Sequence, residues 1–162
     1  MNFEAMWCYH GNTTLLSIKT LMNNTTQQEN MHQPSANKGG RILLMDDEEM
    51  IRQFLKVALL GAGYEVETAE RGEEAVQFYR EAKAAGKPFD VVILDLMIPE
   101  GMGGQETIAE LLKIDPQVKA ILSSGSTNNP VIINYRDYGF LEVLEKPYSI
   151  EQLKGMLQKL IG

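Results

Sequence analysis

The sequence predicts an α/β fold: a doubly wound, five-stranded parallel sheet with helices on both faces. Three observations carry that expectation. From Arg41 onward, short apolar runs alternate strictly with amphipathic segments at helical spacing. Val91-Val92-Ile93-Leu94 is unbroken aliphatic sequence, as expected of a central strand covered on both faces. The segments between successive strands reach about a dozen residues or more, the length a right-handed crossover between parallel strands requires.

The elements follow in order. Ile42 to Met45 is the first strand, and Met50, Ile51, Phe54, Leu55, Ala58 and Leu59 give a helix that stops at Gly61 and Gly63. Tyr64, Val66 and Thr68 alternate as a second strand. Glu73 to Ala84 reads as a helix with Ala75, Val76 and Tyr79 inward, ending near Gly86 and Pro88. The central strand ends in Asp95, Gly103 and Gly104 open a helix through Leu112, and Val118 to Leu122 make a fourth strand. Asn129 to Tyr138 is a weaker helical stretch, and Phe140 to Leu144 is the fifth strand. Ser149 caps a last helix with Ile150, Leu153, Met156, Leu157 and Leu160 inward.

The chain has 162 residues, 44% hydrophobic and 23% charged, which suits one domain and a tail. Asn23 to Gly40 has almost nothing apolar to bury. Leu15, Leu16, Ile18, Leu21 and Met22 ahead of it allow at most a short amphipathic piece. Residues 1–40 are therefore expected to be a poorly ordered extension and linker, and 41–162 the domain. No apolar run has the length of a membrane span and no leader pattern opens the chain, so a soluble, cytoplasmic protein without membrane contact is expected. Cys8, His10 and His32 all precede residue 41, which excludes a catalytic histidine or a Cys/His zinc site in the domain. The net charge of −7 belongs wholly to residues after Gly40, the wrong sign for direct nucleic-acid binding.

In open parallel sheets, ligands bind beyond the carboxyl ends of the strands. Four polar signals fall there: Asp46-Asp47 after strand one, Asp95 after strand three, Ser124 after strand four and Lys146-Pro147 after strand five. Each alone is an ordinary cap, turn or surface residue; their coincidence on one edge is not. Two carboxylates about 4 Å apart repel by roughly 1 kcal/mol in water and about 4 kcal/mol at a protein edge, so three of them call for a cation. With only oxygen donors nearby, Mg²⁺ or Mn²⁺ is favoured over zinc or copper. A divalent ion flanked by an ammonium and a hydroxyl suits phosphoryl transfer, with Asp95 as nucleophile forming an acyl phosphate.

In these residues the chain resembles the receiver domain of bacterial response regulators, over Arg41 to Gly162, through RILLMDDEEM, VVILDLMIP, ILSSGS and VLEKPYS. The resemblance implies the flavodoxin-like strand order 2-1-3-4-5. It also implies Asp95 as phosphoacceptor, Mg²⁺ held by Asp47, Asp95 and the main-chain carbonyl of Met97, and Asp46 acting largely through water. Ser124, followed by Gly125 and 22 positions before Lys146, would be the switch hydroxyl in preference to Ser123. Lys146 would contact the phosphoryl group across a cis bond to Pro147. The implied partner is a histidine kinase or histidine phosphotransfer protein.

Two departures stand out. In the loop MIPEGMGG the stretch from Ile98 has one residue more than the usual MPxMDG and lacks its aspartate, and Val143 replaces the usual aromatic ring three positions before the lysine. SSGSTNNPV and YGFLEVLEKPY look like receivers at the carboxyl end of hybrid histidine kinases. Other classes fit less well. A flavodoxin would need a Ser/Thr/Gly-rich phosphate loop where Asp46-Asp47-Glu48-Glu49 stands, and an aspartyl phosphatase would need an acid at Met97. A phosphorylation-independent interaction module of the same fold is the remaining alternative.

Overall fold

A computed structural model describes residues 39–162 apart from Thr127. Five strands alternate with five helices. They run β1 Arg41–Met45, α1 Glu49–Gly61, β2 Glu65–Ala69, α2 Gly72–Ala84, β3 Val91–Asp95, α3 Gly104–Ile114, β4 Ala120–Ser124, α4 Pro130–Ile133, β5 Glu142–Glu145 and α5 Ile150–Ile161. The sheet has the order β2-β1-β3-β4-β5 and every pairing is parallel, so all five strands present their carboxyl ends to one edge.

Alternation along each strand divides the core in two. Leu43, Met45, Val92, Leu94 and Leu122 face one side, with Ala75 and Tyr79 of α2 and Ile108 and Leu111 of α3. Ile42, Leu44, Ile93 and Ile121 face the other, with Leu55 and Leu59 of α1 and Leu153 and Leu157 of α5. All five residues of β3 are buried, which explains its unbroken aliphatic run. Each buried Val, Leu or Ile side chain contributes about 1.5–3 kcal/mol by leaving water.

The structure shifts several expected elements. β4 begins at Ala120, because Val118 closes a turn onto the Asp115 carbonyl at 3.1 Å, and it runs on through both serines. Asp95 and Ser124 are thus the last residues of their strands and not the first residues after them. The fifth strand is Glu142–Glu145; Phe140 is buried ahead of it. The helix expected over Asn129 to Tyr138 is only Pro130–Ile133, opened by the Asn129 side chain accepting from the Val131 N–H at 2.9 Å. The β-branched run Val131-Ile132-Ile133 is a poor helix former. The chain then tightens into i→i+3 turns at Asp137, Tyr138 and Gly139.

Of the apolar residues whose spacing predicts α1, Met50 and Phe54 are 85% and 63% exposed. Residues 51, 55 and 59 form one helical stripe and 50, 54 and 57 the next, and only the first reaches the sheet.

The expected extension and its amphipathic piece lie outside the described residues up to position 38. Gly39 and Gly40 already pack on the domain: a Cβ on Gly39 would stand 2.7 Å from the Gly63 carbonyl oxygen, and Gly40 accepts from the Glu65 N–H at 3.2 Å. Among the described residues, no helix is long and apolar enough to cross a membrane.

Candidate functional site

Parallel register brings the carboxyl-edge residues together. β1 and β3 are neighbours, so Asp46, which continues the sheet by donating its N–H to the Ala69 carbonyl at 3.2 Å, lies beside Asp95. β4 places Ser123 opposite Asp95, and β5 places Glu145 opposite Ser124. Lys146 donates its N–H to the Ser124 carbonyl at 2.8 Å, which fixes the start of its side chain at the same edge. The Lys146–Pro147 bond is cis.

Asp46 and Asp95 are 1% and 6% exposed, and burial at that level demands a partner for each charge. Lys146 supplies it, its Nζ lying 2.8 Å from Asp46 Oδ2 and 2.5 Å from Asp95 Oδ2. The other oxygen of Asp46 accepts from the Glu48 N–H at 2.9 Å, and that of Asp95 from the Met97 N–H at 3.2 Å. Burial pushes the Asp95 carboxyl above its ordinary pKa, against the downward pull of Lys146. Burial by itself would lower the Lys146 pKa, but the bonds to Asp46 and Asp95 outweigh it and hold the ammonium firmly protonated.

Asp47 is half-buried, and carboxylate oxygens of Asp46, Asp47 and Asp95 lie within 4.8 Å of one another. Three carboxylates against one ammonium leave a surplus of two negative charges at a point furnished with hard oxygen donors. That donor set fits Mg²⁺. Both oxygens of Asp46 and both of Asp95 are engaged by protein groups, so among the described residues Asp47 offers the freest carboxylate of the three.

The two serines differ. Ser124 Oγ accepts from the Ser126 N–H at 3.2 Å, forming a turn at the strand end. Ser123 is buried and its Oγ has no hydrogen-bond partner among the described residues. It stands close to Tyr148, whose phenol pKa is raised by burial. Around Gly125 there is open space for a Cβ, so no close approach demands glycine there.

The long loop after β3 is anchored at Met102. The Met102 N–H donates to the Glu73 carboxylate at 3.1 Å and the Met102 carbonyl accepts from the Gly72 N–H at 2.9 Å. Gly101, at φ +119°, makes the intervening bend. Asp47, Glu70, Arg71, Ile98, Pro99 and Glu100 line a cleft of about 220 Å³ beneath it. The extra residue is thus absorbed on the α2 side, away from Lys146.

Reasoning from sequence did not single out Arg52, Tyr148 or Glu73. Arg52 and Glu73 act on main-chain atoms, which leave no mark in side-chain patterns, and Tyr148 reads as an ordinary apolar position.

Residues 42–158 match the profile of the response regulator receiver domain. The chemotaxis protein CheY of Thermotoga maritima is 35% identical over 122 residues, covering 75% of this chain and 97% of that one. The sensor kinase CckA of Brucella abortus is 34% identical over 122 residues, 73% of this chain but 12% of the kinase. Among solved structures, the response regulator TrrA of Thermotoga maritima in complex with Mg²⁺ and BeF superposes with a TM-score of 0.63 at 34% identity, covering 75% of this chain and 98% of that one. The chain belongs to the response regulator receiver family, the phosphoacceptor modules of two-component signalling.

Proposed function

We propose that Asp95 is the phosphoacceptor and accepts a phosphoryl group from a phosphohistidine on a partner kinase or phosphotransfer protein. The observation that supports this most is the ion-pair geometry: a single ammonium bridges Asp46 and Asp95 at the carboxyl edge, beside a third carboxylate, that of Asp47, which makes no ion pair among the described residues. An Asp95 oxygen attacks phosphorus, the bond from phosphorus to the histidine nitrogen breaks, and the electron pair leaves with the imidazole. Lys146, released from the carboxylate, follows the charge onto a phosphoryl oxygen. Mg²⁺ held by Asp47, Asp95 and the Met97 carbonyl, with Asp46 behind it, neutralises the phosphoryl oxygens when bound. Mn²⁺ shares the same donor preference. Ser124, at the strand end next to Lys146, is the hydroxyl placed to turn toward the phosphorylated site, and its turn with Ser126 is the contact it gives up.

Continuous with the site, Ile51, Phe54, Leu55, Lys146, Pro147 and Tyr148 line an apolar groove of about 390 Å³. A donor histidine must come within bonding distance of Asp95, so the donor protein covers this rim. We read the protein as cytoplasmic, where such donors work.

The test is labelling of full-length protein by a small phosphodonor with Mg²⁺, followed by intact-mass measurement. The wild type gains one phosphoryl group that hydroxylamine removes, and Asp95→Asn gains none while keeping its circular-dichroism spectrum. Undiminished labelling of that variant moves the acceptor elsewhere.

A further inference from the structure

In an extended chain, neighbouring side chains point to opposite faces. Oxygens of the adjacent Asp46 and Asp47 nevertheless meet, with one of Asp95, within 4.8 Å. That convergence requires the chain to leave strand geometry between them, and Arg52 bonds the backbone there. Its Nη1 donates to the Asp46 carbonyl at 2.7 Å and to the Asp47 carbonyl at 2.8 Å. Successive carbonyls of a strand point in opposite directions; here one nitrogen gathers both. The Arg52 N–H donates to the Glu48 carbonyl at 3.0 Å, so the backbone and side chain of one residue tie the same turn from both sides.

We infer that Arg52 is a positioning residue: by clamping the Asp46 and Asp47 carbonyls it turns the Asp47 carboxylate onto the divalent-cation site, and so sets metal affinity. This rests on the phosphoacceptor reading above. Its electrostatic effect has the opposite sign. A guanidinium beside an acidic cluster repels a cation, so charge alone predicts that deleting it tightens metal binding. The clamp predicts that deletion weakens it.

The experiment titrates full-length protein with Mg²⁺ alone, following the amide resonances of Asp47 and Asp95, in wild type, Arg52→Met and Arg52→Lys. Arg52→Met keeps the apolar stem and is expected to raise the Mg²⁺ midpoint about tenfold, in the range for lost outer-shell partners. Arg52→Lys, with its charge and donors on a shorter stem, is expected to raise it less. At saturating Mg²⁺ the rate of Asp95 labelling returns to the wild-type value, because Asp95 and Lys146 are untouched. An unchanged or lowered midpoint in Arg52→Met, or a rate still depressed at saturation, overturns the clamp. If Arg52→Met does not fold, Arg52→Lys decides: a raised midpoint supports the clamp and an unshifted one overturns it. A wild type that neither binds Mg²⁺ nor labels overturns the phosphoacceptor reading itself.

Discussion

Lys146 carries the largest electrostatic burden of any single residue in the site. Two carboxylates, 1% and 6% exposed, share its ammonium, so its removal leaves both charges buried without compensation. Lys146→Met is expected to cost about 2–3 kcal/mol at neutral pH, read as a lower urea midpoint. Added Mg²⁺ should recover more stability in this variant than in wild type. Asp115 offers a second test. Its carboxyl is held below the ordinary range first by the Lys83 ammonium, and also by the Gln117 N–H and the Tyr79 hydroxyl. A depressed acid stabilises the native state above its unfolded pKa and loses that contribution as pH falls through the folded one. Asp115→Asn should therefore be about 1 kcal/mol less stable than wild type at pH 7, because solvent screens much of the pair, with the gap closing on acidification.

At the scale of elements, helix faces and strand ends divide what was legible from what was not. The β3 run announced its own burial, and Ser149 caps α5 as its type predicts, with Gln152 completing a capping box. In α1, by contrast, six apolar residues mark the helix without showing which of them face the sheet. Periodicity does not distinguish two neighbouring stripes when both are apolar, and only packing shows that Met50 and Phe54 look outward. Phe54→Ala should leave stability within about 0.5 kcal/mol of wild type, because the ring is exposed, and yet slow phosphotransfer from a protein donor more than from a small one. Gly104, where α3 begins, was read only as a helix opener. A Cβ there would stand 2.7 Å from the Asp95 carbonyl oxygen, a main-chain atom that cannot swing aside. Gly104→Ala is expected to lower the unfolding free energy by about 1–3 kcal/mol and to slow Asp95 labelling at the same time.

For the whole molecule, the alternation of strands and helices fixed the architecture, and the parallel edge then fixed where acids from separate strands would meet. The exact ladder ends were hidden, because β4 and β5 are set by turns at Asp115 and Gly139 and not by their own apolar runs. Binding of a cation to the native edge alone should raise unfolding free energy by about 2.7 kcal/mol when its concentration is a hundred times the dissociation constant. Asp47→Asn should lose most of that gain in a melting experiment.

Lys146 and Asp46 stand 100 residues apart in the chain, and the ammonium arrives just after β5, the last strand to be made. A polypeptide emerging from the ribosome therefore exposes its acids long before their counterion exists. The charge pairing at this edge is therefore completed only when the whole domain has been made.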